Sequence, residues 1–217
     1  MSNKLIGVYG ASGFGKEVMP LVRAQFTEFN KEHFVFIDDG QANTDLNGYK
    51  VLSYTDFIND SKTDKHVTIA IANSLVREKL VARLNQDNVQ HLEIQAANTV
   101  ILDEVEMGEG SLLCPFTCIT SNIKIGKFFH ANIYSYVAHD CIIGDYVTFA
   151  PGVKCNGNIH IEDHAYIGTG AVIKQGTPDK PLVIGKGAVV GMGAVVTKSV
   201  PAGVTVVGNP ARILEKK

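Results

Sequence analysis

The sequence contains no tryptophan, only four cysteines and no long apolar run. The scarcity of cysteine and the lack of a long apolar run each argue against a class of protein. The cysteines, at 114, 118, 141 and 155, form no C-x-x-C pair, so we expect no zinc or redox centre. No stretch is long enough to cross a bilayer, and the N-terminal apolar segment is shorter than the core of a signal peptide. The net charge of −2, without a run of lysine or arginine, argues against a nucleic-acid partner. We therefore expect a cytoplasmic protein without a metal site, membrane span or nucleic-acid partner.

What the chain does contain is an apolar side chain at every sixth position from residue 101 to residue 173. This period fits neither an α-helix nor an ordinary strand, and it is typical of a solenoid that turns a corner every six residues. Because 45% of the residues are hydrophobic, thirteen successive hits would arise by chance in roughly one starting phase out of thirty thousand. We call these the ladder residues: Ile101, Met107, Leu113, Ile119, Ile125, Ala131, Val137, Ile143, Phe149, Cys155, Ile161, Ile167 and Ile173.

The ladder also predicts how each coil is built. Glycine follows the ladder residue at 108, 126 and 144, so three ladder steps make one triangular coil. Residues two before the ladder positions are often small or β-branched, and they share a strand face with them, so both are expected inside the prism. Glycine and polar residues are expected at the corners. The rhythm breaks after Ile173 and resumes at Ile184, which predicts an excursion at 174–183.

Residues 1–95 predict a small α/β domain with a Rossmann-like parallel sheet, and residues 96–217 the solenoid. Apolar runs predict strands at 5–9, 33–37 and 67–72, a short edge strand at 51–52 and a last strand at 89–94. Helical spacing predicts helices at about 16–29, 55–59 and 75–85, with Pro20 near the start of the first.

A glycine-rich turn links the first predicted strand to the first helix. Its pattern, Gly10-x-x-Gly13-x-Gly15, differs from the dinucleotide fingerprint G-x-G-x-x-G and suits a mononucleotide better. Backbone N–H groups at the start of a helix bind pyrophosphate, and acids after the second strand accept hydrogen bonds from a ribose or a base. Asp38 and Asp39 follow that strand. The alternative interpretation is a tight turn with no ligand.

Six motifs follow one another in a characteristic order: Tyr9–Lys16, Phe36–Asp39, Ala70–Asn73, Val137–Asp140, Gly152–Asn158 and Val207–Arg212. With them the chain resembles, over nearly its whole length, the hexapeptide-repeat acyltransferases. Within these it is most similar to the nucleotide-4-amino-sugar N-acetyltransferases and the related sialic-acid O-acetyltransferases. The resemblance implies a C-terminal left-handed parallel β-helix, acetyl-CoA as the donor, no metal, and a homotrimer with active sites between neighbouring β-helices.

Acyl transfer to an amine needs a base near neutral pH, and histidine is the natural one. His139 follows Val137 by two residues, which places it at a corner, and Asp140 comes next. The resemblance implies that His139 is the general base and Asp140 its acidic partner, and their contact requires the chain to bend at the corner. The other histidines fall in the α/β part, at outward-facing strand positions or at a different corner: His33, His66, His91, His130, His160 and His164.

The resemblance also assigns the ligand contacts. It places the sugar nucleotide against Ser12, Gly13, Phe14, Asp38, Asp39 and Ala72. Two further hypotheses come from position along the chain and not from the resemblance: the acceptor amine contacts Asn132, seven residues before His139, and the Gly157 backbone donates to the oxyanion. Acetyl-CoA is expected along Thr148, Thr169 and Met192. Phe14 and Thr148 stand where relatives often carry histidine, so catalysis is expected to depend on His139 alone.

The resemblance thus implies an N-acetyltransferase that moves acetyl from acetyl-CoA to the 4-amino group of a UDP- or dTDP-linked 4-amino-4,6-dideoxyhexose. A sugar O-acetyltransferase is the nearest alternative, and a non-catalytic sugar-nucleotide-binding protein is another. A zinc hydratase of the carbonic-anhydrase type needs three converging histidines, and the spacing offers no obvious triad. The C-terminal Gly208–Arg212 segment has two open interpretations, an end cap or part of the donor site.

Overall fold

The computed structural model describes residues 3–215, which divide into two compact units between Ile94 and Gln95. None of the helices within these residues is long and apolar enough to span a membrane.

The N-terminal unit is built on a six-stranded sheet with the order β3-β4-β2-β1-β5-β6. Its strands are β1 (Lys4–Tyr9), β2 (Phe34–Ile37), β3 (Thr44–Leu46), β4 (Tyr49–Leu52), β5 (Asp64–Ile69) and β6 (Gln90–His91). Its helices are α1 (Gly13–Gln25), α2 (Tyr54–Asn59) and α3 (Ser74–Gln86), with a 3₁₀ turn at Lys31–His33. The central strands are nearly continuous apolar runs, as expected when both faces of a parallel sheet are covered.

Three details of this unit correct the sequence predictions. The last strand expected at 89–94 is two strands in different sheets, because only Gln90–His91 joins the α/β sheet and Ile94–Gln95 joins the first sheet of the C-terminal prism. The strand at 51–52 is not an edge strand, because β3 pairs with it antiparallel and lies outside it. The signal for this hairpin was the turn Asn47-Gly48, where both residues have positive φ (51° and 76°). Helix α1 begins at Gly13 rather than Lys16 and ends at Gln25, so Pro20 lies inside it. Pro20 is exposed, and the helix is held to the unit by its other, buried face.

The C-terminal unit is a three-sided prism of short parallel strands. The first sheet contains β7 (Ile94–Gln95), β10 (Leu112–Leu113), β13 (His130–Ala131), β16 (Thr148–Phe149), β19 (Tyr166–Ile167), β22 (Val189–Val190), β24 (Thr205–Val207) and β25 (Arg212–Ile213). The second contains β8 (Val100–Ile101), β11 (Cys118–Ile119), β14 (Tyr136–Val137), β17 (Lys154–Cys155), β20 (Val172–Ile173) and β23 (Val195–Val196). The third contains β9 (Val105–Met107), β12 (Ile123–Ile125), β15 (Ile142–Ile143), β18 (Ile159–Ile161) and β21 (Leu182–Ile184).

The ladder residues fill the inside of this prism, as predicted. From Leu113 to Ile173 each is at most 5% exposed, and partners in successive coils are three ladder steps apart, as in Ile119, Val137 and Cys155. Ile101 is 37% exposed because β8 is the outermost strand of its sheet. Strand β25 pairs antiparallel with β24 and closes the other end.

We number the corners of the prism by the sheet that they follow, so the first corner follows the first sheet.

The corners contain more aromatic residues than expected. The third residue after each of many ladder positions has positive φ, and at four of these positions it is aromatic: Phe116, Phe128, Tyr134 and Tyr146. The rings of Phe116 and Tyr134 stack 4.8 Å apart, which matches the spacing of neighbouring strands. Stacking between coils therefore stabilises a backbone conformation that aromatic residues otherwise disfavour.

Glycines directly after the ladder residues let successive coils approach closely. A Cβ added to Gly144 would lie 2.6 Å from the backbone nitrogen of Asp163, one coil further on. We expect Gly144→Ala to lower the free energy of unfolding by about 3 kcal/mol, because backbone on both sides has to shift. Gly187→Ala is the control: its Cβ meets no atom within 4 Å, and only its φ of +63° carries a cost, about 1 kcal/mol. Urea unfolding of both variants tests this, and equal losses would contradict it.

Candidate active site

His139 lies at the second corner, between β14 and β15. Its Nδ1 is 2.7 Å from Oδ2 of Asp140, and both side chains are about half exposed. The contact between neighbouring residues is possible because Asp140 adopts the left-handed conformation, with φ of 57°, so the chain bends there. When Nδ1 of His139 carries the proton and donates it to the Asp140 carboxylate, Nε2 is unprotonated and can accept a proton from a ligand.

Gly157 packs against the His139 ring from the next coil. A Cβ at this position would lie 2.5–2.9 Å from three atoms of the imidazole, so only glycine allows the observed ring position. The two coils are also joined by a hydrogen bond from the Asn158 N–H to the His139 carbonyl, at 3.0 Å. Gly157 is buried, and within residues 3–215 we find no acceptor for its N–H.

A partly buried hydrogen-bond network supports this corner, and the sequence did not reveal it. Tyr136 donates to Oδ1 of Asn156, whose Nδ2 donates to the Ile173 carbonyl, both at 2.8 Å. Burial raises the pKa of Tyr136, so it remains a donor at neutral pH. Cys141, which is buried as predicted, donates to the Asn156 carbonyl at 3.2 Å. Its hydrogen bond with Cys155, together with burial, raises the pKa of the Cys155 thiol.

The excursion begins at the same corner, directly after β20. Within it the backbones of Thr177 and Lys180 hydrogen-bond to each other at 3.1 Å in both directions. The Gly176 N–H donates to the Gly157 carbonyl at 3.0 Å, which ties the excursion to the coil below His139. A groove beside it is lined by three lysines, Lys174, Lys180 and Lys198, among other residues. This arrangement is suited to phosphate groups.

The remaining predicted acetyl-CoA and acceptor-amine residues do not lie at this corner. The first corner holds three of them, Asn132, Thr169 and Met192, which all follow strands of the first sheet. The second sheet separates this corner from the one with His139. The Asn132 side chain accepts a hydrogen bond from the Ile133 N–H at 2.7 Å. Thr148 occupies an outward position on the first sheet but is only 5% exposed. Within one chain, therefore, His139 and Gly157 lie together, and the residues predicted to contact acetyl-CoA and the acceptor amine lie elsewhere on the prism.

Two other histidines lie at their predicted positions but are packed against the protein. His130 occupies an outward strand position, as expected, yet it is only 2% exposed. His164 stacks its ring on Tyr146, with centroids 5.3 Å apart. No group of three or more histidine, cysteine or acidic side chains within residues 3–215 is arranged to hold a metal ion.

In the N-terminal unit, the glycine-rich turn leads straight into α1. Gly13 is the first helical residue and Ser12 the N-cap, with no side-chain capping bond. Phe14 therefore lies in the first turn. Gly15 packs against the Gly10 carbonyl too closely for any side chain. The turn thus presents backbone N–H groups at the carboxyl edge of the sheet, as a pyrophosphate site requires.

Asp38 and Asp39 each have structural partners that the sequence did not reveal. Asp38 accepts hydrogen bonds from the backbone N–H groups of Ala11 (3.1 Å) and Gly40 (3.0 Å), so it holds the glycine-rich turn. Asp39 accepts from the Tyr54 N–H at 2.8 Å. A carboxylate has room for about four hydrogen bonds, so both retain capacity for a ligand.

Ala72 follows β5, at the same edge of the sheet. Its carbonyl and that of Ile71 accept hydrogen bonds from the fully buried guanidinium of Arg77, at 3.2 and 2.8 Å. The three loops that the sequence assigned to the sugar nucleotide therefore follow three neighbouring strands, β2, β1 and β5.

Asp140→Asn isolates the contribution of the carboxylate, because asparagine tolerates positive φ and retains the side-chain shape. We expect kcat to fall by about 10-fold, since the pair is half exposed and its interaction is screened. The fold should be unchanged. Steady-state rates and a thermal melt measure both, and an unchanged kcat would show that Asp140 does not assist His139.

An α/β unit followed by a coiled prism of six-residue steps is the architecture of the hexapeptide-repeat acyltransferases with an N-terminal α/β domain. Comparison with known proteins agrees. Residues 5–84 match the family described as the PglD N-terminal domain, and residues 122–157 match the bacterial transferase hexapeptide (six repeats).

Individual relatives extend this match over the whole chain. The chain is 50% identical over 214 residues to the GDP-perosamine N-acetyltransferase of Escherichia coli O157:H7, covering 98% of this chain and 97% of that protein. The solved structure of WeeI from Acinetobacter baumannii AYE superposes with a TM-score of 0.97 at 82% identity, covering 97% and 100% of the two chains. The acetyltransferase domain of PglB from Neisseria gonorrhoeae FA1090, in complex with acetyl coenzyme A, gives 0.84 at 26% identity, with 99% and 100% covered.

The chain therefore belongs to the family of hexapeptide-repeat acetyltransferases that includes the GDP-perosamine N-acetyltransferase. This confirms the predicted resemblance and, with it, the α/β domain followed by a left-handed parallel β-helix.

Proposed function

We propose that the protein transfers acetyl from acetyl-CoA to the 4-amino group of a GDP-linked 4-amino-4,6-dideoxyhexose, with GDP-perosamine as the first acceptor to test. The observation that carries the proposal is the 50% identity, over nearly the full length of both chains, to an enzyme named for that reaction. The solved complex of a relative with acetyl coenzyme A supports the donor. The sequence predicted UDP or dTDP, and the proposal replaces these with GDP because of the relative's name.

His139 acts as the general base. The acceptor nitrogen attacks the thioester carbonyl carbon, and its proton passes to Nε2 of His139 while Asp140 holds the ring through Nδ1. The N–H of Gly157 donates to the oxyanion of the tetrahedral intermediate. The C–S bond then breaks, the amide carbonyl re-forms, and the CoA thiolate takes the proton from Nε2 of His139, which restores the base. No acyl-enzyme forms.

The active site lies between subunits of a homotrimer. This is supported by the separation of His139 and Gly157, at the second corner, from Asn132, Thr169 and Met192, at the first. The first corner also exposes large apolar side chains: Phe116 by 54%, Tyr134 by 62% and Met192 by 80%. Such a surface is typical of an interface.

The two ligands approach from different parts of the protein. Ser12, Gly13, Phe14, Asp38, Asp39 and Ala72 form the edge of the α/β sheet that receives the sugar nucleotide. The lysines of the excursion groove bind phosphate groups of CoA, beside Thr169 and Met192 of a neighbouring chain. Because both substrates are cytoplasmic metabolites, we place the reaction in the cytoplasm.

An acceptor panel tests the function. The purified protein is incubated with acetyl-CoA and GDP-, UDP- and dTDP-linked 4-amino sugars, and free thiol is followed over time. We expect release with the GDP-linked sugar above all others. The panel also includes a sugar that carries hydroxyl groups but no amine: release only with that sugar would favour an O-acetyltransferase, and nucleotide binding without any release would favour a non-catalytic protein.

A further inference from the structure

Arg83, in the last turn of α3, belongs to a cluster at the carboxyl edge of the α/β sheet that the proposed mechanism does not use. Its guanidinium carbon lies 3.7 Å from the centroid of the Tyr54 ring. One of its nitrogens is 3.7 Å from Oδ2 of Asp39, in a loose ion pair. The Tyr9 ring stacks on Tyr54 with centroids 5.9 Å apart, so it belongs to the same cluster.

The aromatic rings give this arginine a fixed orientation. A guanidinium stacked flat on a ring directs its N–H groups sideways, along the ring plane, rather than into the ring. Tyr54 itself is anchored, since its hydroxyl donates to Asp87 at 2.5 Å and its N–H to Asp39. Burial and the bond to Asp87 raise the pKa of Tyr54, so the ring remains a neutral phenol.

Arg83 nevertheless retains donors for a ligand. Its side chain is 44% exposed, although it contacts Asp39 and Tyr54. A guanidinium has five N–H groups, and the loose ion pair with Asp39 uses only part of them. Tyr9 ends β1 directly before the glycine-rich turn, and Asp39 follows β2, so the cluster borders both predicted nucleotide loops.

We propose that Arg83 is a specificity-determining residue that recognises the guanine base through its O6 and N7 atoms. This rests on the proposed function, because it assigns a base reader to that same nucleotide site. Guanine presents O6 and N7 as two adjacent acceptors, which match the two parallel N–H groups of an arginine. Uracil and thymine have no such pair, because O4 lies between a ring N–H and a carbon. Arg83 therefore discriminates GDP-linked from UDP- and dTDP-linked sugars.

The chain offers a matched control in a second arginine–tyrosine pair. Arg23, in the last turn of α1, has its guanidinium carbon 5.9 Å from the Tyr49 ring centroid and donates to the Tyr49 hydroxyl at 2.6 Å. Since α1 begins at the glycine-rich turn, Arg23 lies at the far end of that helix. Arg23→Lys should leave nucleotide preference unchanged.

Calorimetric Kd values of the full-length protein for free nucleotides test the proposal without requiring acetyl transfer. The probes are GDP, UDP, inosine diphosphate, which keeps O6 and N7, and 7-deaza-GDP, which lacks N7. We expect the wild type to bind GDP and inosine diphosphate similarly, and 7-deaza-GDP and UDP at least about 10-fold more weakly. Arg83→Lys keeps the charge but not the paired donors, so it should remove both preferences, while Arg23→Lys keeps them.

The outcomes separate this proposal from the proposed function. The wild type could prefer GDP and bind inosine diphosphate more weakly, yet bind 7-deaza-GDP as well as GDP. In that case another group recognises the opposite edge of guanine, and the assignment of Arg83 is wrong. An unchanged GDP-to-UDP ratio in Arg83→Lys would also overturn it. If the wild type prefers UDP, both the role of Arg83 and the GDP assignment fail. The 7-deaza comparison uses wild-type protein, so a poorly folding variant does not weaken the test.

Discussion

His139→Ala is expected to reduce kcat by about 10²–10⁴-fold, because the variant has no base to take the acceptor's proton. The fold should be retained, since the side chain is half exposed at a corner and is not part of the apolar core of the prism. Steady-state thiol release gives kcat, and a thermal melt reports the fold. The KM for acetyl-CoA should change little, because the base does not bind the donor.

His160→Ala is the matched control. His160 lies on the outer side of β18, on a different sheet of the same prism. It should keep wild-type kcat. Partial recovery of the His139→Ala rate by added imidazole would support a role as base, whereas a near-wild-type kcat in His139→Ala would remove this residue from the mechanism.

Gly157→Ala is expected to produce a second large loss, about 100-fold in kcat, without losing the backbone N–H. The new methyl group would lie 2.5–2.9 Å from the imidazole atoms of His139, so the ring has to leave its position beside Asp140. A displacement of about 1 Å is sufficient for a loss of this size. The half-exposed ring has room to move outward, so stability should fall by less than in Gly144→Ala.

A double-mutant cycle distinguishes this displacement from other effects. If Gly157→Ala acts through His139, it should cause no further loss of kcat in the His139→Ala background. A full additional loss of about 100-fold there would mean that Gly157 acts independently of the ring. Gly187→Ala, at the third corner, controls for the general effect of adding a methyl group and should retain kcat.

The six-residue ladder predicted the prism because side chains that alternate between inside and outside leave a periodic signal in the sequence. The corners leave a weaker signal in the sequence. Phe116 and Tyr134 both have positive φ, and their rings stack between adjacent coils. The identity of one residue alone does not indicate such stacking. In the α/β unit, the Asn47-Gly48 turn did signal a hairpin, but the polar composition of β3 concealed the strand.

The candidate site was predictable where a residue type suited to acid–base chemistry falls at a position that the six-residue repeat places at a corner. His139 and Asp140 could be placed at a corner, and Gly157, one full coil after His139, could in principle have been placed against the ring. The network through Asn156 could not, because it depends on which polar atoms meet behind the corner. The Arg83 cluster could not either, since residues 9, 39, 54 and 83 are brought together only by the order of the strands.

The chemical nature of the product tests the central claim most directly. Purified wild-type protein is incubated with acetyl-CoA and GDP-perosamine, and the product is analysed by mass spectrometry before and after treatment with alkaline hydroxylamine, which cleaves acetyl esters but not amides. We predict a singly acetylated GDP-sugar that resists hydroxylamine and is formed at a rate that depends on His139. A hydroxylamine-labile product, or no acetylated product at all, would contradict N-acetylation of a GDP-linked amino sugar.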